Sequence, residues 1–189
     1  MLATRPLDPT TWPDFAALVE RHNGVWGGCW CMAFHEEGAN TGGADAHRAA
    51  KQARVREGRA HAALVYADGL CVGWCQFGPT AELPRIKHGK AYAAGLEALP
   101  DWRITCLFVD KAHRKRGVAS AALGGALAEI ERLGGGVVES YPEDTAGRSV
   151  SSSFLHNGNV AMFEAAGFAR QRRIGKDRWV VTKVVPAAG

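Results

Sequence analysis

The chain has 189 residues, 47% hydrophobic and 22% charged, with a formal net charge of +4. That length suits one domain of ~100–200 residues with a sizeable core and argues against a second. No apolar run approaches the ~20 residues that cross a bilayer, and so modest a charge does not suit a general nucleic-acid binder.

The opening residues, Met1-Leu2-Ala3-Thr4-Arg5-Pro6, lack a charged start followed by an apolar core, so a soluble cytoplasmic protein with no membrane partner is expected. Five cysteines, an odd number set within hydrophobic segments, fit a reducing compartment better than a disulfide framework.

Residues 4–8 read as a first strand ended by Pro9, and Thr10 or Thr11 then caps a helix running to about His22 with Phe15, Leu18 and Val19 inward. Residues 23–43 are rich in Gly, Trp and Cys without a clear period, and predict a long structured loop; such loops are uncommon unless functional. Residues 44–59 have helical composition. Residues 61–67 and 70–77 predict a hairpin, because Asp68-Gly69 between two β-rich runs is a strong turn signal.

Residues 78–101 are broken by Pro79, Pro84 and Pro100, with a short helix expected over 90–98. An apolar strand, Ile104-Thr105-Cys106-Leu107-Phe108-Val109, feeds a basic turn and then a Gly-led helix over 117–132. Residues 137–141 predict a fifth strand, residues 142–153 a polar connection, then a helix to Ala166 and a closing strand over 178–185. A mixed, mostly antiparallel α/β sheet of about six to seven strands flanked by helices is the expected fold.

Strand, basic turn and helix start in that order build an anion site. The first N–H groups of a helix have no intrahelical partner and lie at the positive end of its dipole. Arg114, Lys115 and Arg116 add charge around it, and Gly117 and Ala119 keep bulk from the backbone, which suits a pyrophosphate. A second basic run, Arg170-Gln171-Arg172-Arg173, favours an anionic ligand locally. It has no interleaved aromatic platform, so no nucleic-acid partner is expected.

The run Arg114-Lys115-Arg116-Gly117-Val118-Ala119, after the strand Leu107-Phe108-Val109, resembles the R/Q-x-x-G-x-G/A element of the GNAT family of N-acetyltransferases. A second stretch, Asn159-Val160-Ala161-Met162-Phe163-Glu164-Ala165-Ala166-Gly167-Phe168, is similar to that family's later helix, which ends in a Gly-Phe pair and leads into a strand. The resemblance spans roughly residues 60–185. It implies a single domain with splayed fourth and fifth strands and acetyl-CoA in the gap. The contacts would come from Leu107, Phe108, Val109, Arg114, Lys115, Arg116, Gly117, Val118, Ala119, Ser120, Asn159 and Phe163. It also implies direct transfer to an amine in a ternary complex and, by analogy, a homodimer.

Direct transfer needs a neutral amine, a donor for the oxyanion and a proton for the leaving thiolate. Many family members use a Tyr four residues before the Gly of the Gly-Phe pair; here it is Phe163, which cannot donate. His156 and Tyr141 are the substitutes, each with a bland alternative as a helix-start residue or a wall. Glu139, sharing a strand face with Tyr141, is a base if that face meets the gap and a solvated group if not.

Cys29, Cys31 and His35 offer three soft ligands but no fourth at recognisable spacing, so no metal is expected. Trp26, Trp30, Phe34 and His35 read instead as an acceptor-site loop, or equally as a core plug. Cys71 and Cys75 on one strand face suit packing, and Cys75 as a nucleophile is disfavoured. Arg85, Lys87 and His88 either line the acceptor mouth or keep a loop soluble. The expected function is small-molecule amine N-acetylation, with protein or peptide acetylation and a non-catalytic CoA-binding sensor as alternatives.

Overall fold

A computed structural model describes residues 1–39 and 42–189; Asn40 and Thr41, inside the expected loop 23–43, lie outside the described residues. The strands are β1 (Leu2–Pro6), β2 (His61–Ala67), β3 (Leu70–Pro79), β4 (Trp102–Val109), β5 (Gly136–Ser140), β6 (Ala169–Arg173) and β7 (Trp179–Val185). The helices are α1 (Trp12–Arg21), α2 (Gly43–Arg56), α3 (Gly89–Ala94), α4 (Val118–Arg132) and α5 (Val160–Ala165). One seven-stranded sheet forms in the order β1-β2-β3-β4-β5-β7-β6. Every neighbouring pair is antiparallel except β4 and β5, which the crossover through α4 makes parallel.

Each face of the sheet carries its own core. On one side Phe15, Leu18 and Val19 of α1 and Val55 of α2 meet Leu64, Trp74 and Cys106, with Trp30, Met32 and Phe34 of the loop filling the rest. Phe15 is surrounded by the rings of Trp12, Trp30 and Trp74. On the other side Val118, Ala122, Ala126 and Ile130, a stripe at helical spacing along α4, lie on Val65, Val72 and Ile104, and Phe163 of α5 closes the layer. No helix among the described residues is long and apolar enough to cross a membrane.

The β2–β3 hairpin turns at Asp68 and Gly69, both with positive φ (50° and 81°), as a twist-matched two-residue turn requires. Where structure and expectation differ, local chemistry accounts for it. The first strand is Leu2–Pro6 rather than 4–8, because Asp8 is taken up by the turn: its Oδ1 accepts from the Thr10 and Thr11 N–H groups at 2.7 and 3.1 Å. Cys71 and Cys75 do not share a face. A bulge between Val65 and Tyr66 in the β2–β3 register sends Cys71 into one core and Cys75 into the other, since a one-residue slip inverts facing.

The basic run 170–173 is strand β6, and its guanidinium groups are engaged within the fold. Arg170 pairs with Glu164 and Asp144, Arg172 donates to the Tyr92 carbonyl at 2.8 Å, and Arg170 and Arg173 cover Trp179. Phe15→Ala, which empties the centre of the aromatic cluster, is expected to lower unfolding free energy by about 3–5 kcal/mol, read as an earlier urea midpoint with the same slope.

Candidate active site

β4 and β5 pair at only three positions, Trp102↔Val138, Arg103↔Glu139 and Ile104↔Ser140. β5 ends there while β4 runs on to Val109. A buried wedge holds the strands apart. Asn157, at the end of a 3-10 segment (Ser152–Asn157), donates from Nδ2 to the Thr105 carbonyl at 2.7 Å and accepts at Oδ1 from Arg178 at 2.9 Å. Arg178 also donates to the Tyr141 carbonyl at 2.7 Å and to Glu143 at 3.0 Å. The Asn157 amide nitrogen and both Arg178 Nη nitrogens are thereby matched to acceptors.

The opening gap is a cavity of about 880 Å³. Leu107, Phe108 and Val109 line one wall, Leu155, Gly158, Asn159 and Met162 the other, and Arg114, Lys115 and Gly117 to Ser120 the end. Gly117 caps α4 with φ 78°, and a Cβ placed on it would meet nothing within 4 Å. Ala121 is the first residue of α4 whose N–H closes onto Gly117 O, at 2.9 Å, so the N–H groups of Val118, Ala119 and Ser120 precede the helical ladder. Arg21 and Lys111 add positive charge to the same space. Gly73 of β3 lets these parts close up: a Cβ there would stand 2.7 Å from both Phe108 O and Val118 Cγ1.

Asp110 fixes the turn between β4 and α4. Its Oδ1 accepts from the Ala112 N–H at 3.0 Å, and its Oδ2 faces Arg21 Nη2 at 3.2 Å and His22 Nε2 at 3.3 Å. Burial alone would raise its pKa, but these donors outweigh burial and hold the carboxyl below its ordinary value. The C-terminus of α1 is thus tied to the mouth of the gap.

A second cavity, of about 560 Å³, adjoins the first at Trp26, which lines both. It is bounded by Cys29, Cys31, Ala33 and Phe34 of the loop, Arg85, Ile86 and Lys87 of the following connection, Cys106 of β4, and His156. The His156 ring lies between Trp26 and Phe34, with centroids 5.9 and 6.2 Å away. The 3-10 segment therefore turns Leu155 to one cavity and His156 to the other.

The inward face of α2 holds the loop through a polar stripe. His47 Nδ1 donates to Gly28 O at 2.8 Å, Lys51 Nζ lies 3.1 Å from His35 Nε2, and Arg54 grips Glu37 through Nε and Nη2. Lys51, only 1% exposed, also donates to Gln76 Oε1 at 2.5 Å. Trp74 Nε1 donates to Cys31 Sγ at 3.0 Å, and Cys31 Sγ lies 3.0 Å from Cys106 Sγ.

The structure groups Leu107 to Val109, Arg114, Lys115, Gly117 to Ser120 and Asn159 around the first cavity, and Trp26, Phe34 and His156 around the second. Others lie elsewhere. Arg116 is exposed and lines neither cavity, because the left-handed turn at Lys115 (φ 60°) separates it from Arg114. Phe163 is wholly buried against Phe168, and Met162 takes the cavity wall instead.

Trp30 packs on Trp12 in the core, and buried His35 serves Lys51 and the Glu82 carbonyl. Glu139 lies opposite Arg103, where β4 and β5 are still paired, so the gap begins beyond it. Tyr141 donates to Glu139 at 2.6 Å and packs with Tyr92, Ile174 and Val180; burial, then the Glu139 charge, drive its pKa far up. Among the described residues no three metal-ligating side chains cluster, and Cys31 and His35 are engaged separately.

The Acetyltransferase (GNAT) family profile matches residues 16–147, and the chain belongs to that family of acetyltransferases. Solved structures of similar fold include histone acetyltransferase HPA2 and related acetyltransferase from Corynebacterium glutamicum (14% identity, TM-score 0.54, 100% of this chain and 97% of that one). Another is yncA from Salmonella typhimurium with its cofactor acetyl-CoA (16%, 0.54, 99% and 94%). A third is the ribosomal-protein-S18-alanine N-acetyltransferase of Escherichia coli (12%, 0.51, 100% and 97%). No curated protein matches.

Burial first, and then the charges of Lys51 and Arg54, push the His35 imidazole from 6.5 down to about 2. The unfolded chain therefore takes up a proton below 6.5 that the fold refuses, so this stabilisation is complete above 6.5 and is lost as pH falls towards 2. Unfolding free energy measured against pH should drop below that point by up to about 1.4 kcal/mol per unit, and the drop should be shallower in His35→Gln.

Proposed function

We propose that the protein acetylates an amine of a small molecule, using acetyl-CoA, by direct attack in a ternary complex. The observation that carries this reading is the pair of cavities meeting at Trp26: one basic and extended, one aromatic and about 560 Å³, within the range of small-molecule sites. Acetyl-CoA supplies an acyl group already activated as a thioester.

In this reading Arg114, Lys115 and the leading N–H groups of α4 receive the diphosphate. The unpaired edge of β4 from Leu107 to Val109 receives the pantetheine arm as an added strand, and a backbone N–H there faces the developing oxyanion. Trp26 and Phe34 hold the acceptor, and Arg85 and Lys87 favour one that also carries an anionic group.

His156, held between two rings at the junction of the cavities, takes the proton from the attacking amine and is the nearest candidate to return one to the departing thiolate. This role replaces that of the Tyr that many family members carry where this chain has Phe163. Glu139 and Tyr141 act in this reading as the buried support of Arg103 and Tyr92.

Cytoplasmic residence and a homodimer belong to the same reading. Five free thiols accord with the first, and light scattering tests the second. A protein or peptide acceptor is the alternative outcome of an acceptor screen, and a sensor is the outcome if coenzyme A binds but no amine is acetylated.

Thiol release from acetyl-CoA with a panel of small amines should be amine-dependent; release only with peptides sinks the small-molecule reading. Arg114→Ala is expected to weaken coenzyme A binding about tenfold by calorimetry, the scale of one charged hydrogen bond. His156→Ala should lower kcat about a hundredfold with coenzyme A affinity unchanged; unaltered turnover would remove it from the chemistry.

A further inference from the structure

Cys31 and Cys106 reach the same point from distant parts of the chain, one from the loop after α1 and one from β4. Their sulfurs are 3.0 Å apart, and both line the second cavity, so a small solute entering that cavity meets them. All five cysteines are free. We infer that Cys31 and Cys106 are a reactive dithiol that a small hydroperoxide closes to a disulfide, fastening the acceptor loop to β4.

Several features point the same way. A disulfide needs the sulfurs at ~2.05 Å, so closure asks for a shift of about 1 Å, within reach of a loop residue. The two sulfurs are not equivalent. Burial raises both, but the Cys106 thiol, the Lys51 charge and the Trp74 N–H bring Cys31 below its ordinary value, whereas Cys106 stays well above. The Trp74 N–H donated to Cys31 Sγ at 3.0 Å favours negative charge on that sulfur, which makes Cys31 the attacking thiolate and Cys106 the resolving thiol. Cys75, on the other face of the sheet, lines neither cavity, and burial pushes its thiol up.

The step balances with hydrogen peroxide as the oxidant. The Cys31 thiolate attacks one peroxide oxygen, the O–O bond breaks, and Cys31 becomes a sulfenic acid as hydroxide leaves. Cys106 then attacks the Cys31 sulfur, the S–O bond breaks, and the second hydroxide leaves as water with the Cys106 proton. The two thiols lose two electrons and two protons, and peroxide is reduced to water.

The test treats the full-length protein with hydrogen peroxide, alkylates the remaining thiols under denaturing conditions, and maps disulfides by mass spectrometry. The expected result is the loss of two hydrogens, two fewer alkylated thiols than the five of the untreated chain, and one dithiothreitol-reversible link between the peptides carrying Cys31 and Cys106. Cys29→Ser should keep the link, and Cys31→Ser or Cys106→Ser should abolish it.

Five alkylated thiols after treatment, a link through Cys29, Cys71 or Cys75, or over-oxidation of Cys31 without a link would each overturn the inference. The wild-type map suffices even if a variant folds poorly. Because it reads covalent structure and not acetyl transfer, its result is independent of the acceptor proposed above.

Discussion

The constraint on which the rest depends is the early end of β4–β5 pairing. Backbone N–H and C=O groups in a sheet interior ordinarily find a neighbouring strand, and leaving them without partners costs free energy. Here the wedge of Asn157 and Arg178 meets that demand at Thr105 and holds the two strands apart beyond it. The parallel crossover then leaves α4 little choice of position: it starts at the tip of β4, packs back over the sheet, and presents its N-terminus to the open gap. Gap, basic turn and helix dipole are three consequences of one divergence.

The loop that bounds the second cavity is built under more strain. Val25, Trp26, Trp30 and Cys31 all take positive φ, which for non-glycine residues costs on the order of 1–3 kcal/mol each. Two groups of contacts offset that strain: the buried aromatic cluster around Phe15, and the His47, Lys51 and Arg54 stripe of α2, which grips the loop at Gly28, His35 and Glu37. With the loop so held, Trp26 stands 39% exposed between two cavities instead of collapsing into the core.

Period, turn chemistry and motif spacing made the sheet, the hairpin and the basic turn that leads into α4 legible in the sequence, because each is a local feature. The second cavity was not legible in the same way. His47, Lys51 and Arg54 recur at helical spacing, but a polar stripe ordinarily faces water, and only the tertiary fold turns it inward. Facing was the other obstacle: strand alternation could put Glu139 and Tyr141 together but not say toward what, and the β3 bulge reversed the relation of Cys71 to Cys75. What Cys31 and His35 do instead of binding a metal could not be read, because their partners, Cys106 and Lys51, are far away in sequence.

The position of Phe163 has a physical consequence for the proposed proton transfer. Its ring is wholly buried against Phe168, so a hydroxyl there would need a repacked core before it could meet the gap. On the other side of the wedge the chain offers an imidazole, His156, next to the Asn157 that keeps the gap open. One short 3-10 segment thus both separates the strands and carries the proposed proton carrier. Displacing it would disturb both cavities together, and with them the proposed proton transfer, because Leu155 lines the first cavity and His156 the second.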